Sequence, residues 1–370
     1  MNERGEENFT PNYTGKFFDE SSGLYYFNAR WYDCELGRFT TQDPARDGVN
    51  WYGYCSNNPL IYTDPDGRAV VVYLKYCLFD DKKMDWDSVY SAYYQRFDTM
   101  KIVKYEDNYR FFDGLEEVLN ELEDGHVNLY SPFDISVCSQ WYEGYPKNFD
   151  SDILTKYYLK DYRRANGLNY CMIDGDSIGY VYYGSFSDGF SMTNWLAVLN
   201  YFAKCRGIVL DVRNNGGGSM DNAYRLAAPF FTKDTVVGYW QHKSGPGHED
   251  FSKFEPMRMN ESKGYWRRPV VVLCNRRSYS AANFFVSIMR YADNCLILGG
   301  ISGGGGGMPM SYELPNGWMV RFSSVKMYDR DRVSIEAGIK PHLLVNQHSE
   351  DKDDLIEEAV RLINSAYEKK

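Results

Sequence analysis

An α/β fold is predicted for residues 68–370, and three observations predict it. From Ser177 onward, short apolar runs alternate with amphipathic stretches: IGYVYYGSF, a helical segment near Trp195 to Phe202, CRGIVLDVRNNGGG, RRPVVVLCNRRSYSAANFFVSIMRY and CLILGG. That is the pattern of strands separated by helices. At about Arg68 the text changes from turn-rich to aliphatic, beginning with AVVVYL, which marks a domain boundary. The final stretch, DDLIEEAVRLINSAYEKK, has the spacing of a surface-packed helix with Leu355, Ala359 and Leu362 turned inward.

Taken in order, residues 1–67 are dense in Tyr, Gly, Asn and Asp-Pro and poor in aliphatic runs, and they read as turns and short irregular β strands. Residues 68 to about 165 read as a helical N-terminal part of the main domain. There, Phe112, Leu115, Val118, Leu119 and Leu122 recur at three- and four-residue spacing on one helical face, Gly125 is a C-terminal stop, and His126 follows it. Residues 166–370 carry the α/β core.

Composition narrows the function. The 370 residues are 44% hydrophobic and 25% charged, with 41 Lys plus Arg against 51 Asp plus Glu and a formal charge of -10. A folded domain is expected, and neither nucleic acid nor an anionic membrane is an expected partner. No apolar run reaches the roughly 18 residues that cross a bilayer. The high aromatic content, with 33 Tyr, points to an extracytoplasmic or secreted protein. The first residues, MNERGEENFTPNYTGK, lack an apolar export signal, so export would use a signal outside this sequence. Eight cysteines form no CxxC pair and no Cys/His ligand spacing, so no metal, no disulfide framework and no cofactor is expected. His242 and His248, with Gly and Pro between them, read as a solvated loop. Composition does not address the oligomeric state.

The chemistry gathers around a serine. The strand Pro269 to Cys274 runs into Asn275 to Tyr279, and a helix pattern begins at about Ser280. A serine at a helix N-terminus stands among unpaired N–H groups and the positive end of the helix dipole, which stabilise both an alkoxide and a nearby oxyanion. Helix capping by Ser278 or Ser280 is the alternative on local sequence alone. Gly216, Gly217 and Gly218 follow the strand GIVLDVRNN, and such a loop lets backbone N–H groups approach a substrate, so Gly216 or Gly217 could join Ala281 in an oxyanion site. No Lys-Ser/Thr pair follows, which argues against phosphate.

Two resemblances extend this reading. GKFFDESSGLYYFNARWYDCELGRFTTQDP and WYGYCSNNPLIYTDPDGR resemble the terminal core of Rhs/YD-repeat proteins, in which a variable C-terminal cargo, often a toxin, follows the Asp-Pro signature. The ordered motifs LDVRNNGGG, S-x-S-A-A, LGG with its glycine run, and EAGIKP resemble the tail-specific or C-terminal processing serine peptidases, which include the tricorn proteases, and the resemblance extends from about Val72 to Val345. That resemblance implies a crotonase-like core, a polypeptide substrate and Ser280 as nucleophile, with Ser278 as runner-up. The bacterial processing branch uses a lysine about twenty-five residues beyond the serine and a PDZ insertion. Here that position is Gly305, no lysine lies between Lys263 and Lys326, and the stretch from His126 to Ile178 is too short for a PDZ domain. The tricorn-like branch uses Ser, His and Glu. His126 in LEDGHVNLYSP is similar to its histidine segment, and Glu336 in SIEAGIKPHLLV is similar to its glutamate segment, with His342 in place of the usual Asp. The resemblance thus implies a Ser280/His126/Glu336 triad in an endopeptidase acting on unfolded or C-terminal segments. Lys326, at the end of WMVRFSSVK, is a weaker candidate for the base. A catalytically inactive binding module and the cargo of an Rhs-type secreted effector are the alternatives.

Overall fold

The computed structural model describes residues 17–19, 22–27, 30–33, 38–40, 85–100, 105–244, 249–262, 266–314 and 317–368. The strand expected from AVVVYL, the boundary near Arg68 and His248 lie outside the described residues. Near the N-terminus, β1 (Phe17–Asp19), β2 (Leu24–Phe27), β3 (Arg30–Asp33) and β4 (Arg38–Phe39) pair in sequence as an antiparallel meander. Short antiparallel strands are what that turn-rich text favours.

The main domain begins with two helices, α1 (Trp86–Thr99) and α2 (Asp107–Asn120), followed by β5 (Asn128–Tyr130). The five apolar positions expected on one face, Phe112 to Leu122, are all buried. The helix ends at Asn120 rather than at Gly125, and the chain turns there and passes through His126 to reach β5.

A seven-stranded sheet forms the core. It contains β6 (Arg163–Ala165), β7 (Leu168–Ile173) and β8 (Ile178–Tyr183), then, after helix α3 (Met192–Tyr201), β9 (Gly207–Asp211). Helix α4 (Met220–Ala227) and the strands β10 (Thr235–His242) and β11 (Glu255–Met259) precede β12 (Val270–Cys274), α5 (Ala281–Met289) and β13 (Cys295–Gly299). Next come β14 (Pro309–Glu313), β15 (Met319–Ser323), β16 (Val325–Asp329), β17 (Leu343–Leu344) and the last helix, α6 (Asp354–Glu368). The sheet order is β17-β13-β12-β9-β8-β7-β6, parallel from β17 to β8 and antiparallel at β7 and β6. Two smaller sheets, β11-β10-β16 and β14-β15-β5, complete the domain.

The period-two alternation of strands sorts the core into layers. Ile208, Leu210, Val270 and Val272 face Trp195, Ala223, Leu226 and Phe285 of α3, α4 and α5. Val209, Val271 and Leu273 face Leu355, Ile356, Ala359 and Ile363 of α6. Leu355 and Ala359 therefore turn inward as expected, and Ile363 takes the buried place expected of Leu362, which is half-buried. A buried ion cluster ties α6 to the sheet: Arg213 bonds Asp211 (Nη2 to Oδ2, 2.5 Å) and Asp353 (Nη2 to Oδ2, 2.8 Å), while Asp353 also caps the N–H groups of Leu355 and Ile356. A cluster of this kind holds geometry, since losing one partner would strand a buried charge. Among the described residues, no helix is long and apolar enough to cross a membrane.

Candidate active site

Three loops meet because three neighbouring parallel strands end on the same side. In such sheets the carboxyl ends of the strands are where ligands bind. The loops after β9, β12 and β13 carry Gly216–Gly218, Ser280 and the glycine run 303–307. Backbone bonds knit them together: the Tyr279 N–H donates to Asn215 O (3.0 Å), the Ser280 N–H to Gly304 O (2.9 Å) and the Gly303 N–H to Ser278 O (2.8 Å). Ser280 itself has φ 56° and ψ -120°, an uncommon region for a residue with a side chain and one that is held only where surrounding contacts enforce it. Helix α5 starts immediately after it, at Ala281. A Cβ on Gly217 (φ 98°) would stand 2.7 Å from the Ser280 Cβ, so only glycine lets this loop pass so close.

The two serines differ in where their hydroxyls point. Ser280 makes no side-chain capping bond, and its Oγ lies 2.9 Å from His126 Nε2. Ser278 does the structural work instead: its Oγ donates to Val212 O (2.7 Å) and accepts the Asn275 N–H (3.0 Å).

His126 comes from the other side of the cleft. The α1/α2 cluster packs Leu129 of β5 against Val320 and Phe322 of β15, and this pairing brings the residue just before β5 over Ser280. The His126 imidazole is only 3% exposed. Its Nδ1 lies 3.3 Å from Ser323 Oγ at the end of β15. A neutral ring that donates from Nδ1 to Ser323 and accepts at Nε2 from Ser280 satisfies both contacts, which assigns the tautomer. Burial pushes the imidazole pKa down to about 4; the Asp124 carboxylate opposes that shift and the Arg321 charge adds to it. Asp124 Oδ1 accepts both the His126 N–H (2.8 Å) and the Tyr279 hydroxyl (2.7 Å), and the Tyr279 ring packs between His126 and Trp141. The residue before the nucleophile is thus joined to the segment that carries the imidazole.

Glu336 lies at one remove. Its backbone carbonyl accepts the Gly305 N–H (3.3 Å) and its charge acts on Tyr279 and Arg276. No hydrogen bond joins Glu336 to His126 among the described residues, and Ser323 faces Nδ1. Of the expected oxyanion donors, the Gly217 N–H is engaged by Asn215 Oδ1 (2.9 Å). Ala281 stands at the first position of α5, where an N–H has no intrahelical acceptor, and Gly216 is solvent-exposed on the same loop. Lys326 Nζ lies 4.0 Å from the Phe251 ring centre and 3.6 Å from Glu249. His242 is 3.9 Å from Glu255 on the β10–β11 hairpin, and His342 Nδ1 accepts the Ile297 N–H (2.9 Å).

Ser323, Asp124 and Tyr279 are contacts of this cluster that the sequence reading did not single out. Asp124 and Tyr279 adjoin the motifs around His126 and Ser280, whereas Ser323 stands in a strand with no local mark of function.

The profile of Peptidase family S41 matches residues 177–345. A crystal structure from Parabacteroides merdae, described only as a candidate peptidase, is 41% identical, has a TM-score of 0.75, and aligns over 81% of this chain and 96% of its own. The chain belongs to peptidase family S41. It is a serine peptidase. This S41 peptidase also shares its fold with mature CPAF complexed with lactacystin, at a TM-score of 0.61 and 11% identity, over 82% of this chain and 98% of that one. Short stretches match other proteins: 46% identity over 59 residues with salivary gland surface protein 1 of Aedes aegypti, 46% over 67 residues with toxin subunit YenC2 of Yersinia entomophaga, and 44% over 60 residues with toxin protein Tse5 of Pseudomonas aeruginosa. They cover 16%, 18% and 16% of this S41 peptidase, which spans only 2%, 7% and 5% of the length of those relatives.

Proposed function

We propose that this peptidase is an endopeptidase of unfolded or C-terminal polypeptide segments, with Ser280 as nucleophile and His126 as general base. The 2.9 Å approach of His126 Nε2 to Ser280 Oγ carries the reading, since a nucleophile and its base must lie within hydrogen-bond reach. His126 takes the hydroxyl proton as Ser280 Oγ bonds to the peptide carbonyl carbon. The oxyanion accepts from the Ala281 N–H and from the glycine loop at Gly216. The imidazolium then gives its proton to the departing amine nitrogen, the C–N bond breaks, and water releases the acyl group by the same steps in reverse order.

In this reading Ser323 orients the imidazole through Nδ1. Glu336, the carboxylate implied as the third triad member, acts at one remove by placing negative charge behind Tyr279. Cavities open on both sides of Ser280, which suits a chain that continues in both directions from the scissile bond. The parallel sheet with its glycine loops supports a crotonase-like core. The local matches to toxin proteins support reading residues 1–67 as an Rhs/YD-repeat core fragment, with the peptidase as the C-terminal cargo of a secreted effector.

The test is digestion of an unfolded polypeptide, such as reduced and alkylated casein, with the new termini mapped by mass spectrometry. Internal cleavage by the wild type and none by folded Ser280→Ala is expected. Equal cleavage by both proteins would overturn the assignment of Ser280, and no cleavage by the folded wild type would favour a binding module.

A further inference from the structure

The two cavities beside Ser280 differ in chemistry, and the direction of proton transfer tells them apart. One, of about 280 Å³, has Ser280 and Ala281 in its wall and is lined by Met220, Phe284, Met308, Pro309 and Met327, with exposed Asp221 at its rim. The other, of about 400 Å³, is lined by His126, Trp141, Tyr142 and Arg321 as well as Ser280. His126 borders only the second. The departing amine receives its proton from His126 Nε2, so the leaving fragment runs through the His126 cavity and the acyl-side residue enters the methionine-lined one.

Arg321 gives the leaving side its character. It stands on β15, paired with Asn128 of β5, and Nη1 donates to Asn128 Oδ1 (3.0 Å). Among the described residues it forms no ion pair, and no acidic side chain lines the cavity. A guanidinium held in a partly enclosed, acid-free cavity is a fork for a carboxylate. The opposite cavity, built from flexible thioethers and an aromatic ring, accepts large apolar side chains.

We propose that this site selects a scissile bond with a large apolar residue on its acyl side and a carboxylate on its leaving fragment, bound by Arg321. The carboxylate is either an acidic side chain or the free C-terminus of the substrate. This inference rests on the endopeptidase reading of the same site. It also couples recognition to chemistry: the Arg321 charge disfavours the His126 imidazolium, and a substrate carboxylate offsets that charge as the imidazolium forms. The preference should therefore appear in kcat as well as in KM.

The experiment uses internally quenched peptides cleaved by the full chain. One set varies the acyl-side residue among Leu, Met, Phe, Gly and Lys. The other varies the leaving side among Glu, Gln and Lys with amidated C-termini, plus Gln with a free C-terminus. Leu, Met or Phe over Gly and Lys is expected, with Glu over Gln by about tenfold in kcat/KM. Arg321→Gln should abolish the Glu preference, and Arg321→Glu should reverse it toward Lys. A gain only with the free C-terminus would identify the terminal carboxylate as the source. Equal rates across the wild-type leaving-side set, or a preference that survives in Arg321→Gln, overturn the proposal. If Arg321→Gln fails to fold, the wild-type set still decides. Fluorophosphonate labelling of Ser280 separates the two levels: a labelled enzyme with no selectivity overturns the specificity alone, whereas an unlabelled folded enzyme overturns the endopeptidase reading beneath it.

Discussion

The half of the site that carries Ser280 and the half that carries His126 are built differently. Ser280 belongs to the central sheet, where β9, β12 and β13 are neighbours and their following loops meet by topology. Its helix, α5, is buried along its whole length. His126 stands 154 residues away in sequence, on a segment held by a separate apolar cluster of α1, α2, β5 and β15. Ser280, the proposed nucleophile, is therefore fixed by a buried core. His126, the proposed base, arrives by docking of one sheet and its helices against another, and Tyr279 with Asp124 bridges the two halves.

The sharpest way to break the comparison is to remove one half's chemistry at a time. Ser280→Ala and His126→Ala should each cost roughly 10⁴-fold or more in kcat, and the double variant little beyond either single one, because the two groups act as a unit. Single-turnover kinetics on folded variants would check this, and additive losses would contradict a shared step. Gly217→Ala disturbs only the sheet side, where a Cβ at positive φ meets Ser280 and the Ala281 N–H. A loss of about 10²-fold in kcat is expected, with roughly 1–3 kcal/mol of stability lost, read by denaturant melts. On the histidine side, Ser323→Ala should lower kcat by roughly fivefold to tenfold, and Glu336→Gln by less, since Ser323 and not Glu336 is the hydrogen-bond neighbour of Nδ1. The reverse order in measured kcat would restore Glu336 as the direct orienting group.

The smallest effect near neutrality is that of pH. The folded His126 pKa, about 4 against an ordinary 6.5, keeps the ring neutral, so kcat/KM should stay level from pH 7 to about 5 and fall by half near pH 4. The unfolded chain takes up that proton more readily. The stability held by the neutral buried ring is full above about pH 6.5 and is lost as the pH falls through about 4, amounting to roughly 3 kcal/mol. Melting temperatures measured from pH 7 to 4 would check the sign.

Much of the sheet side was legible in the sequence, because each piece is local: one strand runs into the glycines 216–218, and another runs into a serine before an apolar helix. The face from Phe112 to Leu122 was legible by its period. The inward face of α6 differs by one residue from the sequence reading, Ile363 for Leu362, because both are apolar and packing against β9 and β12 selects between them. Ser323 was not legible at all: its approach to His126 Nδ1 follows from the pairing of β15 with β5, which no local pattern encodes. The engagement of the Gly217 N–H by Asn215 is likewise a loop closure visible only in three dimensions.

The central claim is that His126, brought in by the small sheet, activates Ser280 on the large one. Its most direct test is the rate of fluorophosphonate labelling, with the modified residue located by mass spectrometry, in wild type and in folded His126→Ala. Labelling at Ser280 in the wild type that falls by at least 10²-fold in the variant is the expected result. Labelling at Ser280 that proceeds at an unchanged rate without His126 would contradict it.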